Sequence, residues 1–388
     1  MSANDPGAVQ LATCPACGRG VPEGEFCAAC GAHLALDRGP MARRYRYHAF
    51  AANPAEHVLQ PSVISTLFPH LPHRRTAPFS LALLLAAVLL LVLGVLRWTG
   101  PAIAAAALLM PLLYLLYLYE VEVYEDEPVM VLGATVALGV VLGVGWALAT
   151  GPLITRSAVQ NLTIGAAPDR ILVAGVLLPL AAQLLMLVGA LVLYVTRHFD
   201  EALDGFSFGA AGALGFTAAT TVVNLLPALR TTPLAHVPVL TSLADVLQRG
   251  LLVPFINASV TGLIAGALWL RRGQVRQLGA AGWATALPSA VAIAVLVDVI
   301  LGLSDTLADS LAYAFSGRII VAAVLLLLVR VAIHHMLLSE AVMAEIGPAV
   351  PCSHCHRVVP RMAFCPSCGV AIRATPKAGL GRTARAVR

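Results

Sequence analysis

The sequence has very little charge for its length. Of its 388 residues, 12% are Asp, Glu, Lys or Arg, about half the roughly 25% typical of soluble domains. The mean hydropathy is +0.84. Because so few charged side chains cannot cover a water-facing surface, the composition excludes a soluble globular protein. The apolar residues also lie in long runs, which indicates that the lipid bilayer is the solvent for most of the chain.

Cysteine is absent from the apolar runs and is confined to the two ends of the chain. The eight cysteines form two sets of four: Cys14, Cys17, Cys27, Cys30 and Cys352, Cys355, Cys365, Cys368. Both sets have the spacing C-x2-C-x9-C-x2-C, which can surround a Zn²⁺ ion with four sulfurs at about 2.3 Å. The alternative is a disulfide scaffold, but residues 1–13 lack the basic region and apolar core of a secretory signal. We therefore predict two structural zinc sites.

The two cysteine sets belong to copies of one module. Residues 21–31 (VPEGEFCAACG) and 359–369 (VPRMAFCPSCG) match at Val, Pro, Phe, both Cys and Gly. A left-handed turn is needed after each C-x2-C pair, and the residues there are Gly18, Gly31, His356 and Gly369. The repeat predicts a zinc ribbon at each end of the chain.

The apolar residues form eight runs of about the 20 residues that a helix needs to cross a bilayer. The runs are Phe79–Trp98, Pro101–Tyr119, Val129–Thr150, Ile171–Val195, Gly205–Leu229, Leu251–Leu270, Trp283–Leu303 and Arg318–Leu338. Two residues separate the first pair, which predicts a tight helical hairpin. The fold class is therefore an all-α polytopic membrane protein with about eight transmembrane helices, flanked by two zinc-ribbon modules.

Lys and Arg are distributed unevenly around these spans. If the N-terminus lies in the cytoplasm, the cytoplasmic segments hold eighteen of these residues and the opposite side holds six. The positive-inside rule then puts both termini of a multi-pass cell-membrane protein in the cytoplasm, where reduced cysteines can bind zinc.

Domain boundaries follow from the same composition. We expect a ribbon at 1–36, a basic juxtamembrane linker at 37–78, a membrane domain at 79–338, a linker at 339–351, a ribbon at 352–373 and a basic disordered tail at 374–388. In the first linker, apolar residues near helical spacing over Glu56–Leu67 favour a short interfacial helix, whereas Pro61 opposes it. Both alternatives stay open.

Two blocks of the membrane domain resemble a known family. The loop YLYEVEVYEDEP (Tyr117–Pro128) and the segment HFDEALDGFSFGAAGALGF (His198–Phe216) are similar to motifs of the PrsW intramembrane proteases, which are related to the CPBP membrane proteases. The resemblance covers about half of the chain, Tyr114–Leu303. It implies a helical membrane domain and peptide-bond hydrolysis within the bilayer.

The catalytic motifs of that family are substituted in this chain. The E-E-x-x-K motif is replaced by LLPLAAQLL, with Gln183 as its one polar residue. Thr220 and Thr221 stand where the family has Glu and Asn after the Gly-Phe pair, and Asn257 stands at a family His. The last family His aligns near Asp298. Because Thr, Gln and Asn neither activate water nor protonate a leaving amine, we expect no catalytic residues.

Polar residues remain at one helical spacing in the fifth run. Thr217, Thr220 or Thr221, and Asn224 predict a polar face directed into the helix bundle, and neighbouring glycines would allow a second helix to approach. Hydrogen bonds between helices explain such a face, as does a retained peptide-binding or ligand-binding groove. For Asp298, three readings stay open: a protonated acid bonded to a neighbouring helix, a pair with Arg330, or a residual functional site.

The leading hypothesis is a catalytically inactive PrsW-like scaffold or regulator, with the zinc ribbons as docking modules for protein partners. An active intramembrane protease is the second hypothesis. A small-molecule transporter is the third, although it would need paired ionisable groups at the bilayer midplane. No nucleic acid is expected as a partner, because Arg19 is the one basic residue between Cys14 and Cys30.

Overall fold

A computed structural model describes most of the chain. The described residues are 11–35, 49–60, 62–67, 69, 77–96, 98–120, 129–164, 168–196, 199, 201–229, 239–275, 285–307, 311–340 and 346–375. They divide into two compact units. The first unit comprises Met1–Thr76, Val121–Glu125 and Leu326–Arg388, and the second comprises Ala77–Glu120 and Asp126–Leu325.

The second unit consists of apolar helices, as the long uncharged runs predict. Its helices are α2 (Ala77–Val95), α3 (Thr99–Glu120), α4 (Val129–Ile164), α5 (Pro168–Leu172), α6 (Leu178–Thr196), α7 (Ala202–Leu229), α8 (Val239–Leu247), α9 (Val253–Val275) and α10 (Ala286–Leu307). A five-residue π-helical turn joins α5 to α6 at Val173–Leu177, and another joins α8 to α9 at Gln248–Leu252. The last helix, α11 (Leu311–Glu340), begins in this unit and ends in the first one.

Seven of these helical segments are long and apolar enough to cross a membrane. They are Gly100–Tyr117, Met130–Leu153, Val173–Thr196, Ala202–Leu226, Leu243–Arg271, Ala286–Thr306 and Tyr313–Ser339. The eighth predicted span corresponds to α2, whose apolar part, Phe79–Val95, is shorter. The described parts of all eight predicted runs are therefore helical over most of their length, and the polytopic all-α fold class is confirmed. Several helices continue beyond the predicted ends, most of all α4, because polar residues can extend a helix outside the hydrocarbon layer.

Helix α7 is packed closely between neighbours through its glycines. A Cβ atom at Gly215 would collide with the carbonyl oxygen of Val136 on α4, and one at Gly209 would lie 2.8 Å from the carbonyl oxygen of Thr261 on α9. The prediction that this glycine series admits a neighbouring helix is therefore correct. The glycines allow both α4 and α9 to pack closely against α7, because they are distributed over two faces of that helix.

The first unit contains two small antiparallel sheets. Strand β1 (Leu11–Thr13) pairs with β2 (Gly20–Pro22), and β3 (Ala349–Pro351) pairs with β4 (Val358–Pro360). The central pairs of the two ladders are Ala12 with Val21 and Val350 with Val359. The described part of this unit also contains a one-turn helix, α1 (Val63–Leu67), the irregular segment 49–60, a 3-10 turn at Ile372–Ala374 and the C-terminal part of α11.

Candidate functional site

Each cysteine pair is held in a tight turn of the backbone. The amide of the residue after the second cysteine donates to the carbonyl oxygen of the first, as in Gly18 to Cys14 at 2.8 Å and His356 to Cys352 at 2.8 Å. That residue has a positive φ in all four turns: 71° at Gly18, 66° at Gly31, 58° at His356 and 75° at Gly369. The predicted left-handed turns are confirmed, including the one that histidine adopts.

The turns bring the four sulfurs of each set together. In the first set, Cys14 Sγ lies 3.8 Å from Cys30 Sγ, and Cys17 Sγ lies 3.8 Å from Cys27 Sγ. The second set has 3.9 Å between Cys352 and Cys368. Four sulfurs at 2.3 Å from a central ion define tetrahedron edges of about 3.8 Å, so both sets fit a tetrahedral metal ion. All ligand atoms of a set lie within 4.8 Å of one another.

The two ribbons pack against each other with internal two-fold symmetry. Phe26 N donates to Pro366 O at 2.9 Å, and Phe364 N donates to Ala28 O at 2.9 Å. Phe26 corresponds to Phe364 and Ala28 to Pro366 in the sequence repeat, so the two bonds are copies of one contact. Met362 of the second ribbon also packs into the apolar core of the first. The two metal sites are therefore parts of one folded body.

Besides the two metal sites, a polar centre surrounds Arg330, which is fully buried on α11. Nε donates to Val58 O at 2.8 Å, and Nη1 donates to Ser65 Oγ at 2.8 Å and Thr66 Oγ1 at 3.1 Å. Nη2 donates to Glu56 Oε2 at 2.8 Å and to His57 O at 3.1 Å. These bonds use all five N–H donors of the guanidinium.

The segment around Arg330 is further fixed by Phe50 and Ala51. The guanidinium carbon lies 4.0 Å from the centre of the Phe50 ring, a cation–π contact. Ala51 N donates to His334 Nδ1 on α11 at 3.1 Å, and Ala51 O accepts from Ala371 N of the second ribbon at 2.8 Å. Residues 37–78 are predicted as a linker, so the spacing patterns in the sequence do not reveal this centre. One feature of the sequence does point to it: Arg330 is the single charged residue inside the last apolar run after its first residue. A buried arginine at such a place needs an acidic partner.

Glu56 is held as a carboxylate by these contacts. Partial burial by itself raises the pKa of Glu56, but hydrogen bonds from Ser65, Arg330 and Asn53, together with the charge of Arg330, outweigh it. The pKa is therefore below its ordinary value. An ionised Glu56 compensates the buried guanidinium, which would otherwise be an uncompensated charge.

The reading that pairs Asp298 with Arg330 is wrong, because every donor of Arg330 is used within the first unit. Asp298 lies on α10, and its Oδ2 atom is buried without a hydrogen-bond partner in the described part of the chain. The acid that pairs with Arg330 is Glu56, 274 residues earlier in the chain. Pairing over such a separation cannot be read from helix spacing.

A polar cluster lies among the membrane helices of the second unit. Asn257 Nδ2 on α9 donates to Thr217 Oγ1 on α7 at 2.9 Å. One turn further along α9, the hydroxyl of Thr261 accepts from Gln183 Nε2 on α6 at 3.0 Å. Gln183 Oε1 has no partner among the described residues. The cluster thus joins three helices through amides and hydroxyls. Two of its members, Gln183 and Asn257, stand where the resemblance implies catalytic motifs.

The other residues at those positions are less enclosed. Thr220 and Thr221 are half-buried, and Thr220 Oγ1 donates to Thr217 O of its own helix at 3.0 Å. Asn224 is exposed, so the predicted polar face turns inward at Thr217 and away from the interior one and two turns later. Parts of several predicted features lie outside the described residues: the acidic loop at 121–128, the arginines at 43–46 and the tail from 376 onward.

Together, the apolar helices and the paired four-cysteine ribbons define a polytopic membrane protein with two metal-binding modules. The sequence model of the PrsW family intramembrane metalloproteases matches residues 127–333, just over half of the chain. The chain therefore belongs to the PrsW family, which confirms the resemblance. Comparison with curated proteins and with solved structures gave no match.

Proposed function

We propose that this PrsW-family protein is a catalytically inactive membrane scaffold or regulator, which uses its ribbon pair to bind a protein partner. The observation that carries the proposal is the polar cluster of Gln183, Thr217, Asn257 and Thr261. It contains Asn257, which stands at a family His, and Gln183, which lies in the stretch that replaces the E-E-x-x-K motif. The amides and hydroxyls of this cluster hydrogen-bond to one another.

The chemistry of this cluster supports the absence of hydrolysis. Cleaving a peptide bond requires a carboxylate or a metal-bound hydroxide to activate water, and an acid to protonate the amine. Neutral amides and hydroxyls supply neither function near pH 7. Within the described residues, the groups of His, Cys, Asp and Glu that could hold a metal are the two cysteine sets. Interhelical bonds of this kind contribute about 0.6 kcal/mol each to helix packing.

Zinc is the proposed metal at both cysteine sets. Four thiolates in a tetrahedron are the ligands of structural zinc, and a site closed by four protein ligands has no open position for a substrate. The ribbons are therefore left with a structural and a binding role. Removing one ion would also disturb the other module, since the two ribbons share the hydrogen bonds between Phe26 and Pro366 and between Phe364 and Ala28.

The proposed topology has both termini in the cytoplasm. An odd number of crossings would put the two ribbons on opposite sides of the bilayer, where they could not share backbone hydrogen bonds. The seven longer spans would then be joined by α2, whose 19 residues extend over about 28 Å and so suffice for an eighth crossing. The excess of Lys and Arg in the segments on the ribbon side favours the cytoplasm for that side.

The second ribbon offers the better-defined docking surface. Val358 on β4 is 71% exposed, and Arg357 and Arg361 are exposed on either side of it in the sequence. The chain contains no Asp or Glu from residue 346 to its end. The resulting positive charge of the second ribbon favours an acidic segment of a protein as the partner.

Photocrosslinking in native membranes tests this role. Benzoylphenylalanine at position 358 of the full chain should give a discrete crosslinked protein, and the charge reversals Arg357→Glu and Arg361→Glu should abolish it while two metal ions per chain are retained. The matched control is position 20, which corresponds to 358 in the first ribbon. Equal crosslinking from position 20, or crosslinking that survives the reversals, would contradict a specific acidic partner.

The alternative functions make different demands. An active protease would need water-activating groups, and a transporter would need paired ionisable residues at depth. Among the residues inside the described spans, Asp298 is a buried acid without a hydrogen-bonded basic partner, so it does not supply the ion pair that a transporter would need. As a lone carboxylate it belongs, within the described part of the chain, to no group of His, Cys, Asp or Glu that could hold a metal and complete a hydrolytic site.

A further inference from the structure

The one-turn helix α1 has its polarity reversed relative to a helix in water. Its polar residues, Ser65 and Thr66, are almost fully buried and contact Arg330. Two of its three apolar residues are well exposed: Val63 is 56% exposed and Ile64 is 58% exposed, whereas Leu67 is half-buried. A short helix on a soluble surface would bury the apolar side and expose the polar one, so the outer side of α1 requires an apolar environment.

The apolar surface of α1 continues into the preceding turn. Leu59 is 59% exposed, although its neighbour Val58 is fully buried and bonded through its carbonyl oxygen to Arg330. Leu59, Val63 and Ile64 are thus three exposed apolar side chains, close in sequence, on a segment that bonds to the guanidinium through Glu56, His57, Val58, Ser65 and Thr66. We call these three residues the α1 patch.

The position of Arg330 shows what surrounds this patch. Arg330 lies inside the candidate span Tyr313–Ser339, nine residues before its end, about 13 Å along the helix axis. The α1 residues that bond to it are held at the same level of that helix. A non-helical backbone is tolerated at such a depth only when its polar groups have partners, and Arg330 supplies donors to the carbonyl oxygens of His57 and Val58.

We propose that the α1 patch inserts into the acyl chains at the edge of the bilayer, so that residues 50–67 form an interfacial membrane anchor bound to α11 through Arg330. The occupant of the patch is lipid, because the segment that carries the patch is bonded to Arg330, which lies inside a candidate membrane span. The side chain of Glu56, on the same segment, is 24% exposed and bonds to Arg330. The segment thus combines exposed apolar side chains with a partly exposed charged one, as an interfacial element requires.

Spin labels at defined positions test the anchor in the full-length protein. The labels are attached through a keto amino acid, which leaves the eight cysteines untouched, and the protein is reconstituted in phosphatidylcholine vesicles. Collision with oxygen reports exposure to acyl chains, and collision with a nickel chelate reports exposure to water. The two reference positions are Ile320, 65% exposed within the span of α11, and Val358, 71% exposed on a ribbon strand.

A label at position 64 should resemble the one at Ile320, with an oxygen-to-nickel collision ratio several-fold higher than at Val358. A label at position 59 gives an independent second reading if substitution at 64 prevents folding, which loss of metal from the ribbons would reveal. A ratio at both positions like that of Val358 would overturn the proposal, since the patch would face water. Protection from both reagents would also overturn it, since another protein surface would then cover the patch.

Discussion

Neutralising either partner of the Arg330–Glu56 pair should release residues 50–67 from α11. In Glu56→Gln the guanidinium keeps four of its hydrogen bonds but loses its compensating charge. In Arg330→Met all five bonds disappear, and the carbonyl oxygens of Val58 and His57 lose their donor. The double variant removes the charges together, so its defect should be smaller than the sum of the two single defects.

The free-energy cost of each substitution follows from how deeply the two partners are buried. Arg330 is fully buried, and breaking a buried pair costs about 3–5 kcal/mol when one charge is left alone. Glu56 is a quarter exposed, so water screens part of the interaction and the lower end of that range applies to Glu56→Gln. A hydrogen bond to a charged group contributes about 1.5–3 kcal/mol, which is the coupling energy expected from the cycle.

Hydrogen exchange measured by mass spectrometry is the appropriate assay, because peptides from residues 50–67 report the free energy of local opening directly. The control is Arg357→Met, which removes an exposed arginine bonded to Ser367 on the ribbon surface and should leave residues 50–67 unchanged. Strictly additive single and double effects would refute the reasoning, as would protection of this segment that survives Arg330→Met.

Three further predictions concern the metals, the polar cluster and pH. The purified chain should contain two zinc ions, and Cys365→Ser should raise exchange in both ribbons because they share backbone bonds; loss confined to the second ribbon would contradict the shared body. Thr217→Val should lower stability in detergent by about 0.6 kcal/mol, because Asn257 loses one acceptor, whereas a loss several times larger would indicate another role. Because the pKa of Glu56 is lowered on folding, its stabilisation is complete above the ordinary glutamate pKa of about 4.3 and is lost as pH falls through the lower folded-state value. Exchange at 50–67, corrected for intrinsic rates, should therefore rise in acid, and Glu56→Gln should remove this dependence.

The sequence predicted the features that depend on short spacing. Cys14 and Cys17 have two residues between them within one turn, so their proximity needed no tertiary information. The positive φ at His356 followed from its alignment with Gly18, Gly31 and Gly369. The helices were predictable in the same way, because an uncharged run of about 20 residues has few alternatives in a bilayer.

Contacts between distant segments were beyond the reach of such patterns. Glu56 and Arg330 meet because the first linker folds back on the last membrane helix, and nothing near either residue encodes that path. The same holds for Gln183 and Thr261, which lie 78 residues apart on α6 and α9, with α7 and α8 between them in the chain. The polar face of α7 was predicted only in part. Helical spacing puts Thr217 and Asn224 on one side of the helix, but it does not show that neighbouring helices cover Thr217 and leave Asn224 exposed.

Proteolysis is the most direct test of the central claim, that this PrsW-family protein has no peptidase activity. The purified chain in lipid nanodiscs is incubated with a panel of single-pass transmembrane peptides, beside an active PrsW-family peptidase as positive control, and products are read by intact-mass spectrometry. We predict no product above that of a protein-free sample. A cleaved peptide that is formed by this chain and is lost in Asp298→Asn would contradict the account.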